Sequence, residues 1–302
     1  ARVAVWALVA YFLARVLIDA AGAVREAQVA FLLLPLLLST VIDLVARAAW
    51  VLGWQTLLTG SAVRIPVHRS ARIYASSELV RYLPGGVLHL AARYRMAARE
   101  GVPPNVIVTS TILDLGLRVV TGALLFLAIM PAWDSRPGRL PVVLAALIPA
   151  AIVALHPRTL ALGIRLSRRV LGRGEAATPD VRHRALVGAA GWYAAGWLAR
   201  GSAFYILATA ITPTPMRLLL PFIGVYALSW VVGVLVIFAP SGLGVREAAG
   251  VALLRHLIGG PVAAVILVVS RLQSIVVEIV FAWIVLAWDR LRSRPRTGEP
   301  VR

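Results

Sequence analysis

The 302-residue sequence contains no cysteine, no lysine and little charge of either sign: only 15% of residues are charged. Without cysteine there is no disulfide framework, no thiolate nucleophile and no thiolate metal site, and nothing reports an oxidising compartment. The scarcity of charge excludes more. A water-soluble chain needs about a quarter of its residues charged to cover its surface. What stands in place of charge is a hydrophobic fraction of 60% and a mean hydropathy of +0.85. The apolar residues gather into runs of about 20, each enough to cross a bilayer as a helix. The composition therefore describes an all-α polytopic membrane protein, read as one integral membrane domain over 1–302.

The charge that remains is strongly basic. All 31 basic residues are arginine, against 13 acidic ones, for a net charge of +18. Arginines flanking apolar runs act as topology determinants and contacts for anionic lipids, so anionic lipid, and not nucleic acid, is the partner this balance implies. The chain opens inside an apolar run, Ala1-Arg2-Val3-Ala4-Val5-Trp6. That opening lacks a basic start and a small-residue cleavage site, so it reads as a span of a trimmed chain, not as a secretory signal.

The runs predict about six full crossings, at 3–18, 27–52, 105–130, 140–155, 185–211 and 262–288. The connections at 60–73, 93–100, 156–184 and 289–302 hold 18 of the 31 arginines, while 19–26, 131–139, 212–217 and 255–260 hold five. By the positive-inside rule the first group is cytoplasmic, with both termini inside. That orientation is consistent only if two further segments enter and leave on the same side. One is 74–92, bracketed by cytoplasmic arginines, with Arg81-Tyr82-Leu83-Pro84-Gly85-Gly86 as its tip; the other is 217–258, entering from the opposite face, with Phe238-Ala239-Pro240-Ser241-Gly242-Leu243-Gly244 as its tip. Proline ends a helix and glycine permits a tight turn, as a re-entrant tip requires.

Pro84 and Pro240 are 156 residues apart, and each is followed by a second proline-bearing turn, Gly101-Val102-Pro103-Pro104 or Gly259-Gly260-Pro261, that opens a long span. The order span, span, re-entrant, span thus occurs twice, over 1–131 and 140–290, ahead of a basic cytoplasmic tail at 291–302. Three crossings per copy is an odd number, so the second copy is expected upside down, the inverted-repeat plan of many secondary transporters.

Ionisable residues inside apolar spans cost roughly 2.5–3.5 kcal/mol each on the insertion scale and need a partner or an aqueous cavity. Asp43, Arg47, Asp114, Arg118, Arg200, Arg271 and Glu278 are of this kind, with Arg81, Arg246 and Glu247 at the tips. Asp43/Arg47 and Asp114/Arg118 are each four apart, so each pair shares a helix face and can neutralise itself. At a re-entrant tip, unpaired backbone groups and an adjacent arginine make an anion site. Arg81, Arg246, and Arg93 or Arg95 at the cytoplasmic mouth fit the phosphodiester of a lipid, and Glu78, Glu247 or Glu278 fit an amine; the same Arg/Glu neighbours also suit a purely structural role in pinning the hairpins.

The five histidines show no ligand spacing, so no metal or other cofactor is expected. No phosphate loop, zinc-protease helix or serine nucleophile elbow is present. Gly188, Gly191, Gly196 and Gly201 mark one span for close helix packing.

Two runs carry a resemblance. Leu83-Pro84-Gly85-Gly86 followed by Arg93 and Arg95, and Pro240-Ser241-Gly242-Leu243-Gly244-Val245-Arg246-Glu247, resemble the two signatures of the flippase-like membrane region of lysylphosphatidylglycerol synthases and their stand-alone relatives. Ser241 replaces the first glycine of the usual second signature, a small-for-small change. Asp114, Arg118 and Arg271 stand at matching distances after them, and the resemblance runs over essentially the whole chain.

The resemblance implies a flippase or scramblase for a phosphate-containing lipid: aminoacyl-phosphatidylglycerol, another phospholipid or a polyprenyl-phosphate glycolipid. Arg81, Arg93, Arg246 and Arg271 would contact phosphate, and Glu247 and Glu278 an amine or a proton, with Asp114 and Arg118 alongside. Pro84, Gly85, Gly86, Pro240, Gly242 and Gly244 would shape the cavity. The two-part enzymes follow their spans with a soluble aminoacyltransferase; this chain has none, so it is expected to be a transporter and not an enzyme, in the bacterial plasma membrane, with a lipid synthase or glycosyltransferase as a candidate partner. The rival expectations are an intramembrane lipid-modifying enzyme and a non-transporting partner of a lipid synthase.

Overall fold

A computed structural model describes residues 32–82, 88–132, 181–235 and 244–293. Among these residues the chain is entirely helical, with eight α-helices: α1 (Leu33–Gly60), α2 (Val67–Leu79), α3 (Leu88–Arg99), α4 (Pro104–Ile129), α5 (His183–Thr209), α6 (Leu219–Leu235), α7 (Val245–Ile258) and α8 (Gly260–Arg292). The expected spans at 3–18 and 140–155, the tip residues Pro84, Gly85, Gly86, Pro240 and Gly242, and the tail from 294 onward lie outside the described residues.

The helix boundaries follow local rules. Pro104 opens α4 and Pro261 occupies the second position of α8, where proline's missing N–H is an orphan in any case. Gly101 and Gly259, which separate α3 from α4 and α7 from α8, have φ of 78° and 83°, a left-handed conformation that a Cβ disfavours. The two breaks expected at these glycines are therefore present.

Four stretches are long and apolar enough to cross a membrane: Leu33–Gly60, Pro104–Ile129, Met216–Leu235 and Gly260–Arg292. Three correspond to expected spans, although α1 runs eight residues past the expected end at 52. The fourth, α6 with its leading turn, was expected as half of a re-entrant segment, yet its length alone suffices for a crossing. Conversely α5, expected to span at 185–211, is a 27-residue helix but not among those four, being rich in alanine and glycine and interrupted by Arg200.

The elements form two sets of four in the same order, one long helix, two shorter ones and a long one: 28, 13, 12 and 26 residues in the first, 27, 17, 14 and 33 in the second. Contacts between the sets mirror each other: α4 packs on α6, and α8 packs on α2. The two first helices, α1 and α5, lie antiparallel along their lengths. Leu32 N–H donates to the Ala210 carbonyl (3.0 Å) at one end, and Arg182 N–H to the Gly60 carbonyl (3.4 Å) at the other. Between these ends Ser39 Oγ donates to the Ala203 carbonyl at 2.8 Å.

Close approach of these helices uses glycine. A Cβ on Gly196 would stand 2.3 Å from Trp50 Nε1, and one on Gly201 would stand 2.6 Å from the Ile223 backbone. Gly191 has nothing within 4 Å, so it plays no such part. Against this contact Trp50, Trp197 and Trp230 form an aromatic core, with Trp197 centroids 5.1 Å from each of the other two.

Candidate functional site

Nine charged side chains form a continuous alternating chain through the middle of the bundle. It starts at Arg200 on α5, whose guanidinium lies 3.1 Å from Asp43 on α1. Asp43 is also 3.5 Å from Arg47, one turn along the same helix. Arg47 reaches across to Glu278 on α8 at 2.9 Å. Glu278 is 3.9 Å from Arg81, in the turn after α2.

Arg81 pairs with Glu78 at the end of α2, and Glu78 with Arg93 on α3 at 2.6 Å. Arg93 donates to Asp114 on α4 at 2.9 Å, and Arg118 donates to the same carboxylate at 2.8 Å. The order is therefore Arg200, Asp43, Arg47, Glu278, Arg81, Glu78, Arg93, Asp114, Arg118. Its two ends come back to one ring: the Arg200 and Arg118 guanidinium carbons lie 5.2 and 5.5 Å from the Trp50 centroid.

Each carboxylate of this chain is held by two arginines, which is how so much charge is tolerated in a dry interior. Asp114 is 0% exposed and Arg93 1%. Neutral donors complete the shell: Tyr193 Oη donates to Asp114 at 2.7 Å, and Tyr82 Oη to Glu278 at 2.6 Å. Aromatic faces cover the cations, with Tyr74 centred 4.2 Å from the Arg93 guanidinium.

A second group adjoins the first. Gly244, at φ 80°, caps α7, and its N–H donates to the Glu247 carboxylate at 2.8 Å. Arg271 on α8 approaches Glu247 at 4.0 Å. Arg246, at the second position of α7, is 9% exposed and makes no ion pair among the described residues. Its guanidinium stacks on the Tyr226 ring at 4.6 Å, while the Tyr226 hydroxyl accepts a hydrogen bond from Arg200 Nε. Tyr226 thus joins Arg246 to the end of the alternating chain. A small cavity of about 10 Å³ lies beside it, lined by Asp43, Arg200, Tyr226, Ser270 and Gln273 among others.

Both expected i,i+4 pairs form, Asp43 with Arg47 and Asp114 with Arg118. The structure also brings together Arg81, Arg93, Asp114, Arg118 and Glu278, and sets Gly244, Arg246, Glu247 and Arg271 beside them. Arg93 differs in place from its expected position at the cytoplasmic mouth: it is buried between Glu78 and Asp114, because two carboxylates and an aromatic face attract the guanidinium inward. Arg95 on the same helix is exposed. The four tyrosines, Tyr74, Tyr82, Tyr193 and Tyr226, carried no sequence signal of their own beyond their place near charged residues.

Chemically, the arrangement is a set of fixed cations whose partners are carboxylates and aromatic faces. An anionic group entering it would exchange one set of charge-assisted hydrogen bonds for another without bringing water into the interior. No curated protein matches the chain. The family model of the lysylphosphatidylglycerol synthase transmembrane region matches residues 1–282. With helices of membrane-spanning length and a match over nearly its whole length, the chain belongs to the lysylphosphatidylglycerol synthase transmembrane-region family.

Proposed function

We propose that this multi-pass membrane protein moves a phosphate-bearing lipid headgroup between leaflets, as a flippase or scramblase, and is not itself an enzyme. The observation that carries the reading is Arg246: a buried guanidinium without a carboxylate partner among the described residues, at the amino end of a helix. A charge in that condition is costly, and a phosphate would satisfy it together with the helix N-terminus. Arg81, Arg93 and Arg271 are the neighbouring cations of the same network.

The finer architecture belongs to the same reading. Six crossings with two opposed hairpins, arranged as an inverted repeat, are supported by the mirrored packing of α4 on α6 and α8 on α2. They are supported too by the antiparallel run of α1 along α5, since equivalent helices of two inverted copies must run in opposite directions. We take the membrane to be the bacterial inner membrane with both termini cytoplasmic, the orientation that the arginine distribution favours, and a lipid synthase or glycosyltransferase to be a natural partner. Rocking one copy against the other would expose the charged network to each side in turn.

The test is headgroup accessibility in proteoliposomes holding the purified chain and fluorescent lipids, with Arg246→Ala alongside. Transport by the wild-type chain, lost in a variant that melts at an unchanged temperature, supports the reading. Normal transport by Arg246→Ala removes Arg246 from the site.

A further inference from the structure

The two ends of the bundle are closed by different chemistry. At the Gly60 end, where α2 enters and α8 finishes, the first turns of α2 are held by carboxylates from two other elements. Arg72 Nε lies 3.2 Å from Asp289 on α8. Arg72 also pairs with Glu100, at the break between α3 and α4, and Arg69 lies 2.9 Å from the same carboxylate. His68 meets Trp288 edge-on, with ring centroids 6.0 Å apart, and its Nε2 is 3.9 Å from Asp289. This group shares no residue with the nine-membered chain. Asp289 and Glu278 stand three turns apart on α8, about 16 Å, so the group is an outer clasp over the same α2–α8 contact that Glu278 makes deeper in.

The equivalent contact at the Ala210 end joins α4 to α6 and is apolar. A Cβ on Gly224 would stand 3.4 Å from Phe126 and 3.5 Å from Ile129. Phe126 is fully buried, and α6 carries no charged residue. Such a seam is held by close packing, which ionic strength does not touch. An ion clasp instead exchanges its partners for water and salt at little cost where solvent reaches it. Here solvent does: side-chain exposure is 37 and 48% at Arg72 and Arg69, against 11 and 13% at Asp289 and Glu100.

We propose that the clasp of Arg69, Arg72, Glu100 and Asp289 is a gate. The Gly60 end of the bundle opens by releasing α2 from the end of α8, while the Ala210 end stays packed. Its purpose rests on the lipid-moving reading, in which the charged network is exposed to each side in turn. Opening at one end is a separate property, measurable without any cargo.

The chain has no cysteine, so single introduced cysteines report opening directly. Ala282→Cys lies on α8 two turns in from Asp289, and Ala227→Cys lies on α6 one turn from Gly224; both alanines are at most 1% exposed. The rate of labelling by a water-soluble maleimide is measured for each in detergent, at low and high salt, alone and combined with Asp289→Asn or Arg72→Gln. Either clasp substitution is expected to speed labelling at 282 about fivefold, and high salt to speed it with the clasp residues intact, while labelling at 227 stays slow. A rate at 282 that neither the substitutions nor salt alters overturns the gate. Equal acceleration at 227 overturns it too, because the whole bundle has then loosened. Where melting shows that a clasp variant has lost its fold, the salt arm, which needs no such substitution, decides. Transport measured in parallel separates the two readings: clasp-dependent opening at 282 without movement of any lipid overturns the flippase and leaves the gate standing.

Discussion

Asp43 and Arg200 are 157 residues apart in sequence and 3.1 Å apart in space. The same separation divides Pro104 from Pro261, which open α4 and α8, and Asp114 from Arg271, which those helices carry. Two copies of one charged motif would bring like charges face to face where first helices cross. Here the two residues have opposite sign, so the contact of α1 with α5 becomes an ion pair. Exchanging the pair, Asp43→Arg with Arg200→Asp, should recover most of the stability that either single change loses. Because Arg47 also touches Asp43, recovery will be incomplete. Melting of the three variants in detergent reads the cycle, and a double variant no better than the worse single would refute the pairing.

Asp114 receives hydrogen bonds from Arg93, Arg118 and Tyr193. Asp114→Asn keeps the shape but strands the Arg118 guanidinium in the interior and leaves Arg93 with Glu78 alone, at a cost of about 3–5 kcal/mol. Chemical unfolding should show that loss. Adding Arg118→Met to it should restore part of the stability, since one stranded charge is then gone.

The glycines of α5 separate into those that approach a neighbour and one that does not. Gly201→Ala drives a Cβ to 2.6 Å from the Ile223 backbone, and Gly196→Ala drives one to 2.3 Å from Trp50. Each should lose about 1–3 kcal/mol. Gly191→Ala meets nothing within 4 Å and should gain up to about 1 kcal/mol from helix propensity. Equal effects at 191 and 201 would show that the α5–α6 contact is looser than described.

Glu278 ties the turn after α2 to the long last helix through Arg81 and Tyr82, and ties α1 to it through Arg47. Glu278→Gln should loosen α2 and the Arg81–Tyr82 turn while leaving the α1–α5 contact intact. Hydrogen exchange in detergent is the measurement: faster exchange over 67–82 with 33–60 unchanged is expected, whereas uniform acceleration would mean that the residue holds the whole bundle.

Sequence patterns reached the all-helical class, the breaks at Gly101 and Gly259, and both i,i+4 pairs, because each depends on residues within a turn of one another. They did not reach Arg47 with Glu278 or Arg93 with Asp114, since periodicity says which face a residue occupies but not which helix faces it. Hydropathy ranks α6 above α5 as a crossing, the reverse of the expected order. Helix α5 is filled with alanine and glycine so that α1 can approach, which lowers its apolar score. Helix α6 is apolar throughout and buried on most of its surface, so its length of 20 residues with the leading turn reads as a crossing.

The alternating order of the nine charges has an evolutionary consequence. Loss of any carboxylate sets two guanidiniums side by side, and loss of any inner arginine does the same to two carboxylates. Single replacements inside the chain are therefore blocked in both directions, and drift is permitted only by removing neighbouring opposite charges together or by shortening the chain from Arg200 or Arg118. Among relatives, a change at Arg47 should be accompanied by one at Asp43 or Glu278, and a change at Arg93 by one at Glu78 or Asp114.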